Sequence, residues 1–389
     1  MPRILSPENL IPMKEAQKLI LSSFYYQPKT RNIPVKNAAG LILAEPVLSQ
    51  RTIPPAPLAG PDGIAVKSRD TKGVSIENPR EIEAIRVNTG LPLPAGYDAV
   101  IPVEEFHAGE NGGYIISSSV SPQQNTVPKG ADVIKDQEIV EAGHLLTSYD
   151  VAALAGFGIR NVMVKSWKIG LIATGDEVIP LKKEPLPGQI VDTNTMMISG
   201  YLNGYGVLTE VFPIIPDDPE IIGSQLNAAC ESCDMVLLFG GSSAGSKDYT
   251  VDGIEKSGKL LFHGVAMGPG KPVSCGLIQG KPVIGMPGPA IACLITFYQL
   301  VFPLLKSWGV PIPPKKNIIG EVTMDLLPFN GFDIFHLTVV RYECGKIYIV
   351  PLERRFGQSM GIRADAILHI ARGSSGYRKG EKVQVTLIR

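Results

Sequence analysis

Between Ile169 and Leu305 the chain repeats one alternation: a short apolar run, a turn, then a helical pattern. KIGLIAT, VLTEVFPII, DMVLLFGG, LLFHGVAM and KPVIGM read as strands. TNTMMISGYLNGYG, DDPEIIGSQLNAACES, DYTVDGIEKSG and AIACLITFYQLVFPLLK read as helices. A strand that is apolar on both faces must be covered on both, and helices between successive strands make the connections parallel. The alternation predicts a three-layer α/β domain with a parallel-rich sheet. Such sheets bind ligands in loops beyond the carboxyl ends of their strands. Pro219 suits the first turn of the helix that follows Asp217 and Asp218.

The flanks have other textures, and 389 residues is enough for two to four domains. From Pro12 a helical stretch places Met13, Ala16, Ile20 and Phe24 on one face, with Pro12 fit for its first turn. From Val35 to Glu138, runs such as LILAEPVL, IEAIRV and AVIPVEE alternate with Gly and Pro turns, which predicts small β structure. The 41 Gly and 33 Pro are spread along the chain and mark turns between short elements. Val310 to Lys316 is a Pro-rich linker. FHLTVVRYE, KIYIVPLE, AILHIARG and KVQVTLIR follow, enough for a small barrel or sandwich.

Charge and cysteine content narrow the function classes. The 37 Lys plus Arg balance 37 Asp plus Glu, which argues against a surface that coats nucleic acid or a polybasic membrane patch. Glu8, Lys14 and Glu15 interrupt any apolar leader. Ile291 to Leu305 would span about 22 Å as a helix, short of the roughly 30 Å of a bilayer core, and holds Gln299 and Pro303. It reads as a buried helix, and the protein is expected to be cytoplasmic. Cys230, Cys233, Cys275, Cys293 and Cys344 are too sparse for a disulfide framework. Cys230-x-x-Cys233 lacks a second ligand pair at zinc spacing, and buried thiols are expected.

Four turns of the α/β segment carry the candidate chemistry. They are Thr174-Gly175-Asp176-Glu177, Gly240-Gly241-Ser242-Ser243-Ala244-Gly245-Ser246-Lys247-Asp248, Pro269-Gly270-Lys271-Pro272 and Pro287-Gly288-Pro289. Glycines let backbone approach a ligand, and the amides and hydroxyls form an anion pocket. Read as loops after successive strands of one parallel sheet, they converge on one edge. No Walker A or dinucleotide fingerprint is present. Asp176, Glu177, Asp217 and Asp248 at the strand-to-helix turns either cap helices or hold a cation beside the anion pocket, with Mg²⁺ the usual choice.

TGDEV, GQIVDTN, GGSSAGSKD, PGKP and MPGPA, in this order, resemble the molybdopterin molybdenumtransferase family, which comprises bacterial MoeA and the E domain of gephyrin. PAPLAGPDGIAV (Pro55 to Val66), TGLPLPAGYDAVIPVEE (Thr89 to Glu105) and the ADAIL run near Asp365 agree, so the resemblance covers essentially the whole chain. It implies an elongated N-terminal domain over 1–43 and 139–167, a β-rich domain inserted at 44–138, a molybdopterin-binding α/β domain over 168–312 and a C-terminal β-barrel over 313–389. It implies a head-to-tail homodimer with a site shared between subunits. The implied reaction inserts molybdate or tungstate into adenylylated molybdopterin and releases AMP, with Mg²⁺. A molybdopterin adenylyltransferase and client molybdoenzymes are the implied protein partners.

Carried over by motif, Asp62, Glu177, Asp217 and Lys271 are the implied catalytic residues, Glu177 and Asp217 also the metal ligands. Thr89, Thr174, Gly175, Asp176, Gly240, Gly241, Ser242, Ser243, Gly245, Asp248, Pro269, Gly270, Pro287 and Gly288 are the implied cofactor-binding residues. Asp62 would reach in from the partner subunit, and Lys271 would meet an anion as a point charge.

The chain departs from the family pattern at several positions. Ala59 replaces a Ser, Val133-Ile134 an Ile-Arg pair, Gly268 a Lys and Ala290 follows Pro289 where the family has Asn-Pro. The barrel's usual Arg near Phe335 is absent, with Arg341 close by. Three readings stay open. Intact Asp62, Glu177, Asp217 and Asp248 favour an insertase; Ala59, Gly268 and Ala290 favour a paralogue that binds the pterin for delivery, storage or sensing; the lack of basic arms counts against a scaffold. His107, His144, His263, His336 and His369 match no family role and are expected to be structural or exposed.

Overall fold

The computed structural model describes residues 9–240, 249–352 and 357–389. The chain divides into two compact units, Thr30–Lys165 and Met1–Lys29 with Ser166–Arg389. The unit Thr30–Lys165 is built from short strands. Gly63–Val66 pairs with Ile85–Val87 and Ala99–Pro102 around Ile64, Val66 and Ile101, and a second core gathers Leu43, Leu146, Leu154 and Val164. Its helix Ser148–Gly156 begins on a capping box, in which Thr147 and Asp150 satisfy each other's backbone amides. The β texture read between Val35 and Glu138 is present, cut into pieces of two to four residues by the Gly and Pro turns.

In the other unit, helix α1 (Met13–Ser23) buries Met13, Ala16 and Ile20 as its spacing requires, and Phe24 follows them into the core. Pro12 is its N-cap, one position before the first turn. Trp308 Nε1 donates to Phe24 O at 3.2 Å and Trp167 Nε1 to Trp308 O at 3.2 Å, so both buried indoles have acceptors.

Six strands form the central sheet: β1 (Lys168–Ala173), β2 (Leu208–Val211), β3 (Met235–Phe239), β4 (Lys259–His263), β5 (Ser274–Ile278) and β6 (Lys281–Met286). Their order is β2-β1-β3-β6-β5-β4. The β1/β2, β1/β3 and β3/β6 pairs are parallel, whereas β6/β5 and β5/β4 are antiparallel. The sheet is parallel-rich with an antiparallel edge. Sequence reading passed over β5, because VSCGLI follows β4 with no helix between them.

Helices α2 (Asn194–Gly204), α3 (Pro219–Ser232), α4 (Tyr249–Ser257) and α5 (Ala290–Ser307) cover the sheet. The core under α3 holds Ile222, Leu226, Cys230 and Cys233 against Ile172, Val236 and Leu238. Both cysteines are buried, and burial pushes the Cys230 thiol up to about 11. The helix α5 is long and apolar enough to cross a membrane by composition, yet 67% of that window is buried inside the protein. Phe297–Val301 within it is a π turn, which frees the helix to continue through Pro303.

Asp218 caps α3, accepting from Glu220 N at 2.8 Å and Ile221 N at 3.1 Å, with Pro219 in the first turn. Of the acids that could cap helices by position, Asp217 does not cap α3; the adjacent Asp218 takes that task and leaves Asp217 to other bonds. Replacing Asp218 by Ala orphans two amides and is expected to cost about 1 kcal/mol. A urea midpoint that does not move would refute this.

The C-terminal strands β7 (Asn317–Val322), β8 (Asp333–Glu343), β9 (Lys346–Pro351), β10 (Ala366–Ile370) and β11 (Lys382–Leu387) pair in the order β8-β9-β7-β11-β10, and β10 returns to β8. The sheet closes into a five-stranded barrel with no free edge. LLFHGVAM is not one strand. Its tail, Met267–Gly268, leaves the central sheet and pairs parallel with β8, Gly268 opposite Ile334. The loop that follows is thereby carried to the barrel.

Candidate functional site

The parallel strands β1, β3 and β6 end side by side, and Thr174 N donates to Phe239 O at 2.7 Å. Gly240 turns the chain away at φ +140°. A Cβ there would stand 2.3 Å from Thr174 O and 2.5 Å from Thr174 Cγ2, so only glycine allows this approach. The Thr174 hydroxyl donates to Asp217 Oδ1 at 2.9 Å and lies 3.2 Å from Pro216 O. Asp176 Oδ1 accepts from Asp217 N at 3.4 Å. One loop therefore fixes the carboxylate of the next.

These strand ends open into a cavity of about 790 Å³, a size suited to a cofactor-class ligand. Thr174, Glu177, Asp217, Gly240, Pro269, Gly270, Lys271 and Gly288 from the sequence-based set line it. Gly175, Asp176 and Pro287 flank the lining without joining it. Gly241, Ser242, Ser243, Gly245 and Asp248 lie outside the described residues. Asp62 and Thr89 belong to the unit Thr30–Lys165 and bond each other. Thr89 donates to Asp62 Oδ1 through its amide at 2.7 Å and its hydroxyl at 3.1 Å, and these bonds, the amide first, hold the Asp62 carboxyl below its usual range.

The expectation that all four turns follow parallel strands needs correction at Pro269 to Pro272. That turn follows the Met267–Gly268 segment on the barrel and precedes antiparallel β5. It reaches the cavity because the barrel abuts the sheet rim.

Two walls were not assigned from sequence. The first is the start of α2. Asp192 accepts from Thr195 N at 3.1 Å and from the Thr195 hydroxyl, and Asn194 Nδ2 donates to Gly288 O at 2.7 Å. Asp192, Thr193 and Asn194 all line the cavity. GQIVDTN was noticed as a motif, and its acid before a helix start was the available signal.

The second wall is the barrel, where Ile334, Phe335, His336 and Leu337 of β8 and Gln358 and Met360 of α6 (Gln358–Arg363) complete the lining. His336 therefore belongs to the cavity, against the expectation of a structural or exposed role. No local pattern marks it, since only closure of the barrel turns β8 toward the sheet. Phe335 stacks on its cross-strand neighbour His369, with centroids 4.6 Å apart and planes at 11°. His369 Nε2 in turn meets Asp333 Oδ1 at 2.7 Å.

Burial pulls the Asp333 carboxyl up, but the His369 and Arg372 hydrogen bonds and nearby charge outweigh it and hold the group low. A carboxyl depressed in the folded state stabilises above its unfolded pKa, about 3.9, and that contribution is lost as pH falls through the folded value. Asp333→Asn is expected to lower the melting temperature at neutral pH, with the gap to wild type closing below about pH 4. A gap of constant size down to acid pH would count against the assignment.

Electrostatically the described lining is acidic. Glu177, Asp192 and Asp217 face one lysine, Lys271. Gly268 and Pro289 also line the cavity, so two positions where the family pattern has Lys and Asn offer no polar side chain here. Among the described residues no three acids, histidines or cysteines come together as a metal cage.

Comparison with known proteins agrees with this architecture. Residues 11–158 match the MoeA N-terminal region (domain I and II), and residues 170–307 match a probable molybdopterin binding domain. A molybdopterin molybdenumtransferase of Haemophilus influenzae is 31% identical over 81% of this chain and 83% of its own length. That of Bacillus subtilis is 28% identical over 99% and 96%. The crystal structure of a molybdopterin biosynthesis MoeA protein from Pyrococcus horikosii superposes with a TM-score of 0.80 at 29% identity, covering 98% of this chain and 99% of that one. With matching motifs, a matching α/β domain and barrel, and full-length relatives, this chain belongs to the molybdopterin molybdenumtransferase family.

Proposed function

We propose that this protein inserts molybdate, or tungstate, into adenylylated molybdopterin and releases AMP. The observation that carries the reading is the cavity itself: carboxylates beyond the ends of parallel strands and one lysine on the turn that the barrel carries, lined by apolar barrel side chains. An adenylylated pterin is a polyanion, and an acidic lining accepts a polyanion only when a cation neutralises both.

Glu177 and Asp217 suit Mg²⁺, because they offer hard oxygen donors and, at two, leave coordination sites for water and phosphate. Mg²⁺ held there would neutralise the phosphates and ease departure of AMP. The Thr174 hydroxyl orients the Asp217 carboxylate, and Lys271 brings a positive charge to the same cavity for phosphate or the oxyanion. Phe335 and its apolar neighbours keep water from the enclosed ligand.

The same reading extends to the remaining parts of the chain. The loop 241–248 would complete the phosphate cradle with Asp248. A homodimer would bring Asp62 and Thr89 of one subunit to the cavity of another. We also propose the four-domain division given by the resemblance, a cytoplasmic location, and exchange of pterin with an adenylyltransferase and client molybdoenzymes.

A second reading, a pterin-binding paralogue without turnover, is favoured by Gly268 and Ala290 in the lining. One assay separates the two. Purified protein is incubated with adenylylated molybdopterin, Mg²⁺ and molybdate or tungstate, and AMP is measured. AMP release that depends on both metal and oxyanion is expected. Tight binding without AMP at any metal concentration would leave only the paralogue.

A further inference from the structure

One segment of the cavity wall, helix α6 (Gln358–Arg363), is held by tethers and not by packing. It is six residues long, too short to repay the cost of its first turn in water. Burial does not repay it either, because none of its residues is buried and Ile362 is 72% exposed. Among the described residues, two side-chain bonds hold it. At its start Gln358 Nε2 donates to Thr193 Oγ1 at 2.7 Å, and near its end Arg389 Nη2 donates to Gly361 O at 2.8 Å. The chain is anchored beyond it, where Ala364 is fully buried and β10 enters the barrel.

The first tether crosses the cavity. Gln358 and Met360 line it from the barrel side, and Thr193 lines it from the start of α2. The bond between Gln358 and Thr193 therefore joins two walls, and it is exposed to solvent. A wall-to-wall bond that water reaches lies at the mouth of the cavity and not in its depth. Thr193 stands at the N-cap position of α2 without a side-chain cap bond, so its hydroxyl is left to receive Gln358. Segments with few buried contacts and exposed bonds open first. Here the Gln358 end is the one that can lift, while Ala364 and the Arg389 bond hold the other.

We propose that α6 is a flap over the cavity and that the Gln358–Thr193 bond is its latch. The flap lifts at Gln358 to admit the ligand and settles to enclose it, which keeps water from the reacting groups. The choice of molybdopterin as ligand rests on the function proposed above; the opening itself does not.

Native-state hydrogen exchange of the free full chain reads the flap without any ligand. The Met360 amide bonds Gly357 O and the Ala364 amide bonds Met360 O. These amides are expected to exchange faster than those of β8 and β10. Gln358→Ala and Thr193→Val should each speed them about three- to tenfold further, the range for losing one neutral hydrogen bond, with β8 and β10 unchanged. The double variant should gain nothing more, because both changes break one bond. Wild-type protection in both single variants, or effects that add in the double variant, would overturn the latch. Stopped-flow binding of molybdopterin reads the gate. Both variants are expected to raise association and dissociation rates together, so that affinity changes less than either rate. Faster dissociation with unchanged association would mark the two side chains as direct ligand contacts and overturn the gate. If wild type binds no molybdopterin while exchange behaves as expected, the pterin reading of the cavity falls and the flap stands.

Discussion

Glu177→Gln is expected to reduce AMP release at least about a hundredfold while the pterin substrate still binds. The substitution keeps the size and shape of the side chain and removes one charge from a lining that has three carboxylates against one lysine. If Glu177 and Asp217 share a cation, an amide in place of one carboxylate weakens the hold on the metal, and turnover falls most at low Mg²⁺. Raising Mg²⁺ should recover part of the loss. The signature is therefore a changed metal dependence together with a lower rate. Should Glu177→Gln release AMP at the wild-type rate with an unaltered Mg²⁺ requirement, the metal role of Glu177 is wrong. Asp217→Asn is the companion variant, but it also disturbs the bond from Thr174, so its effect mixes positioning with charge.

Gly240→Ala is expected to cost more than about 2 kcal/mol of stability. The strain has two sources that act together. The backbone sits at φ +140°, where a side chain is disfavoured, and the new Cβ would meet Thr174 O at 2.3 Å. The obstacle is backbone at the end of β1, which cannot swing aside as a side-chain tip does. Either the strand ends part, breaking the bond from Thr174 N to Phe239 O, or the loop leaves its track. Both outcomes should also weaken ligand binding, because Thr174 and Gly240 form one edge of the cavity. Denaturant unfolding and molybdopterin titration of the same variant read the two effects. An unfolding midpoint within error of wild type would show that the close approach is not required.

Much of this could be read before any coordinates. KIGLIAT and DMVLLF are too short and too uniformly apolar for surface helices, and they form β1 and β3 in the fully buried middle of the sheet. Ile291 to Leu305 reads as a core helix, and most of it is buried inside the protein. The Gly- and acid-rich turns pointed to Thr174, Glu177, Asp217, Gly240 and Lys271, and these residues do line one cavity. The errors were local. Asp217 and Asp218 are chemically alike, and which one caps α3 depends on where the helix begins within a residue. β5 was lost because an antiparallel hairpin carries no helix to announce it.

Periodicity, turn residues and charge act over a few positions along the chain, so they specify elements, sheet type and the loops with reactive groups. The rest depended on contacts between distant segments. Met267–Gly268 joins a barrel strand more than sixty residues later, and that pairing delivers Pro269 to Pro272 to the sheet rim. Closure of the barrel brings Phe335 and His336 to the cavity, and the Asn194 amide ties the start of α2 to the Gly288 carbonyl. No pattern along the chain records these meetings, because a side chain's role in a cavity is set by what packs against it in space.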